Sequence, residues 1–599
     1  MDVIRLLPEH IANQIAAGEV VVRPASIVKE LLENAIDAGS THIKVFIRQG
    51  GKTFIQVIDD GCGMSETDAR RCFERHATSK ISKAEDLFKI TTKGFRGEAM
   101  ASIAAVAQVD LKTRRQEDEV ATRVYIAGSQ VETQEYVQAP KGTNLVIKNL
   151  FYNIPARRNF LKSDLVEYRN CMEEFQRVAI PHHDIHFQFY HNDEEIYHLT
   201  PGTLRQRLVN IFGKNINESL VPLDEKTEIV KINGFIAKPE YARKSRGEQF
   251  FFVNRRYIRS PYLHHAVKSA FENLLPEDTH PFYAVFMEVD PATIDVNVHP
   301  TKQEIKFQEE RLIYNFLLAA TKKALGQFQV VPSMDFERSP FDVQAKDRYT
   351  MDAGGTQGPF SGSAHVPSSA GREAWRQLYE GIAAPMEREK NTEVTLLSSS
   401  SDEPLSSDEY FEHKEPQQIL SSYILVPVKS GFMLIDQQGA HERILYEYFL
   451  QTIHVDRIPC QQLLFPLSVE LPAGDAQILN GILPEINKLG FDVQPFGGNT
   501  FIVHGLPAVL HQRDNPEQVI LHFVSQFKHQ LDLKLDHSDR LARSLAFSTA
   551  CKRGQKLSME EQKSMIDHLF ACSMPYRNPS GKPCAIIYDS NKLEKLFQN

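Results

Sequence analysis

One tryptophan, seven cysteines and no long apolar run are found in 599 residues. The cysteines, at 62, 72, 171, 460, 551, 572 and 584, are odd in number and scattered, which argues against a disulfide framework and fits reduced thiols. No stretch approaches the ~18 apolar residues of a membrane span, and the N-terminus lacks a charged-then-apolar leader. An intracellular, cytoplasmic protein with no membrane partner is therefore expected. A basic excess is missing too. The formal charge of −9 repels phosphate on balance, so any contact with nucleic acid must come from a local basic surface. What remains is ordinary globular composition, 42% hydrophobic and 24% charged, in a chain too long for one core. Three or four units are expected.

The chemistry concentrates near the start. In Glu30-Leu-Leu-Glu33-Asn34-Ala-Ile-Asp37 the polar residues fall at i, i+3, i+4 and i+7, which places three carboxylates and an amide on one helix face. Alone, that is equally the solvated face of an amphipathic helix. The strand-like run Phe54 to Ile58 ends in Asp59-Asp60-Gly61-Cys62-Gly63, whose glycines let a backbone approach a flat ligand. Asp59 accepts hydrogen bonds and donates none, so it suits an exocyclic amine such as that of adenine. A glycine-bounded turn explains the same residues. Farther on, Lys93-Gly94-Phe-Arg96-Gly97-Glu98 precedes a small apolar run that reads as a helix, and the N–H groups at such a start hold phosphate. An ordinary capped helix start is the alternative. His76-Ala-Thr78-Ser79-Lys80 joins these elements.

Together these residues resemble the ATP site of the gyrase/Hsp90/histidine-kinase/MutL (GHKL) superfamily. Ala12-Asn-Gln-Ile-Ala-Ala-Gly18-Glu19-Val20, Arg23-Pro24-Ala25-Ser26 and Gly94-Phe-Arg96-Gly97-Glu98-Ala99 resemble the MutL/HexB family of DNA mismatch repair proteins in particular. The resemblance implies an α+β / α/β multidomain chain. Its parts would be a GHKL (Bergerat) ATPase sandwich at 1–215, a ribosomal-protein-like βαβ second domain at 216–330, a disordered linker at 331–415 and an α+β C-terminal dimerisation domain at 416–599. It implies ATP and Mg²⁺ as cofactors. Glu30 would be the general base for the attacking water and Asn34 the Mg²⁺ ligand, with Asp59 reading adenine. Gly61 and Gly63 would allow the base to approach, Thr78, Ser79, Gly94, Arg96 and Gly97 would close over the phosphates, and Thr143 would line the base pocket. Lys302, in Asp295-Val-Asn297-Val-His299-Pro300-Thr301-Lys302, matches the lysine that reaches the γ-phosphate from the second domain.

Elsewhere the chain is less explicit. Ser26 is a plausible N-cap for the nucleotide helix, and the segment 149–162 matches one that closes the ATPase domain. Arg243, Lys244, Arg246, Arg255 and Arg256, beside the aromatics of Phe250-Phe-Phe-Val253, are a candidate surface for sequence-independent DNA contact, with an unrelated charged surface as the competing explanation. From about 331 to 415 the composition turns to Ser, Gly, Pro and acidic residues, a linker reaching on the order of 50 Å as a coil; Trp375 sits in it. Asp436-Gln-Gln438-Gly439-Ala-His441-Glu442-Arg443-Ile-Leu-Tyr-Glu447 resembles the family's endonuclease motif with Gln438 at its histidine, and Asn578 and Ser580 stand where metal-binding Cys and His are placed. Neutral Asn and Ser are poor zinc donors, so nicking is expected to be absent although Asp436, Glu442 and Glu447 persist. Gln461-Gln-Leu463-Leu464-Phe465-Pro466 looks like the family's sliding-clamp motif, in which Gln461 anchors and Leu463, Leu464 and Pro466 fill a groove; a buried strand is the alternative.

The function expected from the resemblance is an ATP-switched matchmaker between mismatch recognition and strand excision, a weak ATPase acting as a homodimer. The other reading is an ATP-regulated, metal-dependent nicking endonuclease. Implied partners are DNA, the mismatch-recognition protein MutS, a sliding clamp and a downstream helicase or nuclease, in a bacterial, nucleoid-associated setting.

Overall fold

The structure, a computed structural model, describes residues 14, 17–18, 20–80, 93–94, 97–243, 247–272, 274–275, 279–295, 304–327, 415–428, 431–453, 459–508, 515–531 and 535–589. The expected linker at 331–415, with Trp375, lies outside the described residues except for Glu415. So do Arg96, Lys244, Arg246, Lys302 and much of the leader at 11–20.

Eight strands form the first sheet: β1 (His42–Arg48), β2 (Phe54–Asp59), β3 (Gln108–Arg114), β4 (Ala121–Ala127), β5 (Gln130–Val137), β6 (Gly142–Lys148), β7 (His186–His191) and β8 (Glu194–Leu199). Their order is β5-β4-β3-β6-β2-β1-β7-β8, antiparallel except for the β1/β7 pair. Strand periodicity dictates the layer. Ile43, Val45, Ile47, Ile55, Val57, Val109, Leu111, Leu145 and Ile147 alternate onto one face and are buried there. The helices Pro24–Asp37, Ala99–Val106 and Asp164–Ala179 bring Ile27, Val28, Leu32, Ile103 and Phe175 into the same core, which makes the two-layer sandwich that was expected. Truncating fully buried Leu32 to alanine is worth about 2–5 kcal/mol at such a site.

Strand order and helix start together position the polar residues of this layer. Because β6 inserts between β2 and β3, Asp59 is brought opposite Thr143 and Thr113 is brought opposite Thr143 on the other side. The Pro24–Asp37 helix begins one turn earlier than Ser26 suggested. Arg23 is the cap residue, with extended backbone, and Pro24 starts the helix with its preset φ, so Ser26 sits inside the first turn.

A second sheet comprises β9 (Leu220–Lys226), β10 (Val230–Ala237), β11 (Gln249–Val253), β12 (Arg256–Ile258) and β13 (Tyr283–Val289) in the order β12-β11-β13-β10-β9. Parallel β11 and β13 flank the helix Pro261–Ala270, the βαβ unit that was expected. Phe250 and Phe252 pack into the first core, whereas Phe251 and Val253 join a core completed by that helix and by Glu310–Gln327. These aromatics are interior on both faces and form no part of an open binding surface. A short ribbon, β14 (Ile294–Asp295) with β15 (Lys306–Phe307), completes this part.

The last part is α+β. Its strands are β16 (Gln417–Ile419), β17 (Tyr423–Val428), β18 (Gly431–Asp436), β19 (Cys460–Glu470), β20 (Asp492–Gly497), β21 (Thr500–Pro507) and β22 (Ala585–Asp589), in two sheets ordered β16-β17-β18-β22 and β19-β21-β20. Five helices, from Gln437–Thr452 to Met559–Ala571, pack among them within the described residues. Among the described residues no helix is long and apolar enough to cross a membrane.

Candidate nucleotide site and the acidic cluster of the C-terminal part

A cavity of about 1370 Å³ opens beside the Pro24–Asp37 helix, lined by Glu30, Asn34, Asp37, Asp59, Gly63, Thr78, Ser79, Gly94, Gly97 and Thr143. Residues far apart in sequence are thus brought to one cavity wall. Gly61 stands behind the cavity wall, its N–H donating to Asp59 Oδ1 at 2.9 Å. The helix face itself is split. Glu33 is buried and lines a neighbouring cleft with Lys29, Lys93 and Arg256, so two of the three carboxylates reach the cavity.

Asp59 and Asp60 are adjacent but do opposite jobs. Burial pushes the Asp59 carboxyl up to about 6, against hydrogen bonds from the Gly61 N–H and from Ser40 Oγ at 3.2 Å. For Asp60, burial is outweighed by donors at Thr41 N (2.7 Å), Thr41 Oγ1 (2.5 Å) and His42 N (2.9 Å), which hold it below the usual carboxylate range. Asp60 is spent on closing the turn into β1, and Asp59 faces the cavity.

Glycine is required at two places in this wall. At Gly63 the backbone has φ +69°, and a Cβ would fall 2.1 Å from the Arg114 carbonyl oxygen. At Gly97, φ is +61° and a Cβ would fall 2.5 Å from the Ala77 carbonyl oxygen. The close approach at Gly97 is tied by the His76 N–H, which donates to Gly97 O at 3.1 Å. The segments carrying Thr78 and Gly97 are therefore held side by side.

Two residues that the sequence left without a role appear at the same place. The Lys80 ammonium donates to Asp37 Oδ2 at 2.6 Å and to Asn34 Oδ1 at 2.9 Å. Asp37 also accepts from the backbone N–H groups of Lys93 (3.1 Å) and Gly94 (3.2 Å). The available signal was that Lys80 closes the short segment containing Thr78 and Ser79. Arg259, just past β12, also lines the cavity.

The arginines expected to form a DNA surface are drawn into contacts within the chain. Arg243 donates to Glu248 Oε1 and to the Tyr241 hydroxyl, each at 2.8 Å, and lies 4.0 Å from Asp475. Asn254 and Arg255 form a left-handed turn between β11 and β12, φ 49° and 62°, that points back at the first sheet's helices. Arg255 lies 3.7 Å from Asp184, its carbonyl accepts from the Lys93 ammonium at 2.5 Å, and Arg256 borders the Glu33 cleft. Burial, with Arg256 close by, pushes the Lys93 ammonium down to about 8. A planar guanidinium pairs with whatever carboxylates lie nearby, and this acidic chain supplies them; Lys244 and Arg246 of the same expectation lie outside the described residues.

In the C-terminal part, Asp436, Glu442 and Glu447 are engaged one by one. Asp436 lies 3.6 Å from Arg553. Buried Glu442 accepts from Asn578 Nδ2 at 3.1 Å. Glu447 accepts from the Ser573 N–H (2.9 Å) and hydroxyl (2.7 Å), with Arg443 at 3.5 Å. Burial pushes the nearby Cys572 and Cys584 thiols up to about 12 and about 11, so both stay protonated. Among the described residues no group of three or more His, Cys, Asp and Glu is arranged to hold a metal ion.

The Gln461–Pro466 stretch lies in β19, so a strand forms there, but it is not a buried one. The ladder to β21 is interrupted between Gln462 and Leu467; Leu464 is 88% exposed and Phe465 80%, while Leu463 packs against the core.

Comparison with known proteins yields three family models along the chain. Residues 22–150 match the histidine kinase-, DNA gyrase B-, and HSP90-like ATPase. Residues 208–326 match the C-terminal domain of DNA mismatch repair protein, and 417–557 the MutL C terminal dimerisation domain. Among curated relatives, the DNA mismatch repair protein MutL of Flavobacterium psychrophilum is 46% identical over 617 residues, covering 100% of this chain and 99% of the relative. The proteins of the same name from Christiangramia forsetii and Bacteroides fragilis are 44% and 43% identical, each covering 100% of both chains.

Proposed function

The chain belongs to the MutL family of DNA mismatch repair proteins, and from that premise we propose that it is an ATP-switched matchmaker between mismatch recognition and strand excision. The observation that carries the reading is the convergence of Glu30, Asn34 and Asp59 on one cavity between glycine-bounded turns. Asp59 reads the adenine amine as an acceptor. The N–H groups about Gly97 and the start of the Ala99–Val106 helix meet the phosphates, with Thr78 and Ser79 beside them, and Lys302, the match to the family's γ-phosphate lysine, would add its charge. Glu30, held on a rigid helix, orients and deprotonates the attacking water. Hydrolysis then depends on positioning and on charge neutralisation, with no covalent intermediate.

Asn34 Oδ1 and Asp37 Oδ2 already turn toward a cation, the Lys80 ammonium, and hard neutral and anionic oxygens of this kind fit Mg²⁺. Asn34 is the ligand in this reading, and bound Mg²⁺ would neutralise charge on the phosphates. The C-terminal part makes the homodimer. Sequence-independent DNA contact, MutS and a downstream helicase or nuclease complete the assembly. The exposed Leu464 and Phe465 on the interrupted strand favour a sliding clamp as a further partner. Against the endonuclease alternative stands the C-terminal acidic cluster, where Glu442 accepts from Asn578, Glu447 accepts from Ser573 beside Arg443, and Asp436 pairs with Arg553 at 3.6 Å.

The test compares ATP turnover and nucleotide binding in wild type, Glu30→Ala and Asn34→Ala. Glu30→Ala is expected to bind ATP while turnover falls ~10²–10⁴-fold, and Asn34→Ala to lose magnesium-dependent binding. Unchanged turnover in both variants would overturn the assignment of roles.

A further inference from the structure

We propose that Lys80 is a built-in competitor of the divalent cation, holding the Asn34–Asp37 cradle in the nucleotide-free protein and giving it up when a metal-bearing nucleotide enters. The proposal rests on the reading of Asn34 as the metal ligand. Its ground is the geometry of one ammonium. Lys80 Nζ bridges Asp37 Oδ2 at 2.6 Å and Asn34 Oδ1 at 2.9 Å. Both partners are largely shielded from water, the lysine side chain being 19% exposed and the aspartate 9%. A solvated surface lysine would not be held this way; this one contributes its charge to an enclosed carboxylate and takes a neutral amide oxygen as its second acceptor.

The oxygen that Lys80 occupies is the one assigned to the metal. A divalent ion binding that oxygen at the ~2.0–2.1 Å typical of magnesium would stand close beside the ammonium bonded to its other lone pair. The two cations would also repel strongly in a site shielded from water. Gly94 closes the cradle from the other side, because a Cβ on it would lie 3.3 Å from Lys80 Nζ and 3.9 Å from Asn34 Oδ1. The same turn sends the Gly94 N–H to Asp37 Oδ2 at 3.2 Å. Charge repulsion then lets one cation at a time sit among Asn34, Asp37 and Gly94, and binding is an exchange. Metal affinity is lowered by the fraction of molecules in which the lysine is in place.

Electron paramagnetic resonance titration of Mn²⁺ into the full-length chain with ADP bound tests this directly, in wild type, Lys80→Met, Lys80→Gln and Asn34→Ala. Calorimetric ADP binding in metal-free buffer serves as the check that each variant is folded. Both Lys80 variants are expected to bind Mn²⁺ on the order of tenfold more tightly than wild type, the gain for removing a competitor present in about nine molecules of ten. Without nucleotide, Mg²⁺ should raise the melting temperature of Lys80→Met and leave that of wild type unmoved. Lys80→Gln decides the matter if the methionine variant does not fold. Equal or weaker Mn²⁺ binding in the Lys80 variants, with Asn34→Ala losing Mn²⁺, overturns the exchange and leaves the metal-ligand reading intact. Wild-type Mn²⁺ affinity in Asn34→Ala overturns both.

Discussion

Glu30, Asn34 and Asp37 line an open cavity, whereas Glu442 and Glu447 are held by hydrogen bonds within their own chain and Asp436 pairs with Arg553 through one oxygen. Both groups ride on or beside a helix that adjoins a strand, and both look acidic in sequence. They differ in what completes them. At the first, one lysine ammonium bridges Asn34 and Asp37, and the Lys93 and Gly94 N–H groups also donate to Asp37. At the second, the partners include an amide, a backbone N–H, a hydroxyl and guanidinium groups fixed by the fold. The first cluster borders a cavity of about 1370 Å³ that leaves a ligand's place beside it, and the second is held mainly by contacts with fixed parts of the fold.

That contrast can be broken most decisively at Asp59. Asp59→Ala should lower nucleotide affinity roughly tenfold to a hundredfold, the size of a lost hydrogen bond to a charged group, read by calorimetric titration. Affinity should also decline in wild type as pH falls through about 6, where the carboxylate takes up its proton. The stability of the nucleotide-free protein runs the other way. A raised carboxyl pKa contributes stability that is complete below its unfolded value of ~3.9 and is lost as pH rises through about 6. Binding and stability profiles that moved together would show that Asp59 is not the adenine acceptor.

A smaller effect, in the opposite currency, is expected in the C-terminal cluster. Asn578→Ala takes a donor from buried Glu442 and should cost this part ~1–3 kcal/mol in chemical denaturation, with nucleotide affinity unchanged. Asn34→Ala, by comparison, should cost under ~1 kcal/mol while losing ligand. Were Asn578→Ala neutral, the cluster would not be structural after all. The smallest expected effect is none. Supercoiled plasmid incubated with the protein and Mn²⁺ should stay closed, and robust nicking abolished by Glu442→Ala would return the C-terminal part to the nucleases.

Much of the fold was legible because periodicity writes it. The strand-like run Phe54 to Ile58 and the small apolar run after Gly97 announce a strand and a packed helix without further information. Asp59, Gly63 and Gly97 were legible as well, since each occupies a place where chemistry or backbone geometry admits few residues. Direction was not legible. Composition around Arg243, Arg255 and Arg256 gives positive charge but not the hairpin turn that aims it at Asp184 and the Glu33 cleft. Nor does helical spacing alone show that Glu33 is buried while Glu30 lines the cavity. Lys80 was hidden for a related reason, because its partners lie more than forty residues away in sequence.

The interrupted ladder of β19 has a consequence for solubility. β19 borders its sheet, and a long border strand bearing two apolar side chains ordinarily invites a stray chain to add itself, the first step toward fibres. Pro466 has no N–H to offer, and the slipped register between Gln462 and Leu467 breaks the even row of donors and acceptors that a templated strand would need. The patch can therefore stay greasy without becoming a seed, leaving two side chains in the open while denying its backbone to its own kind.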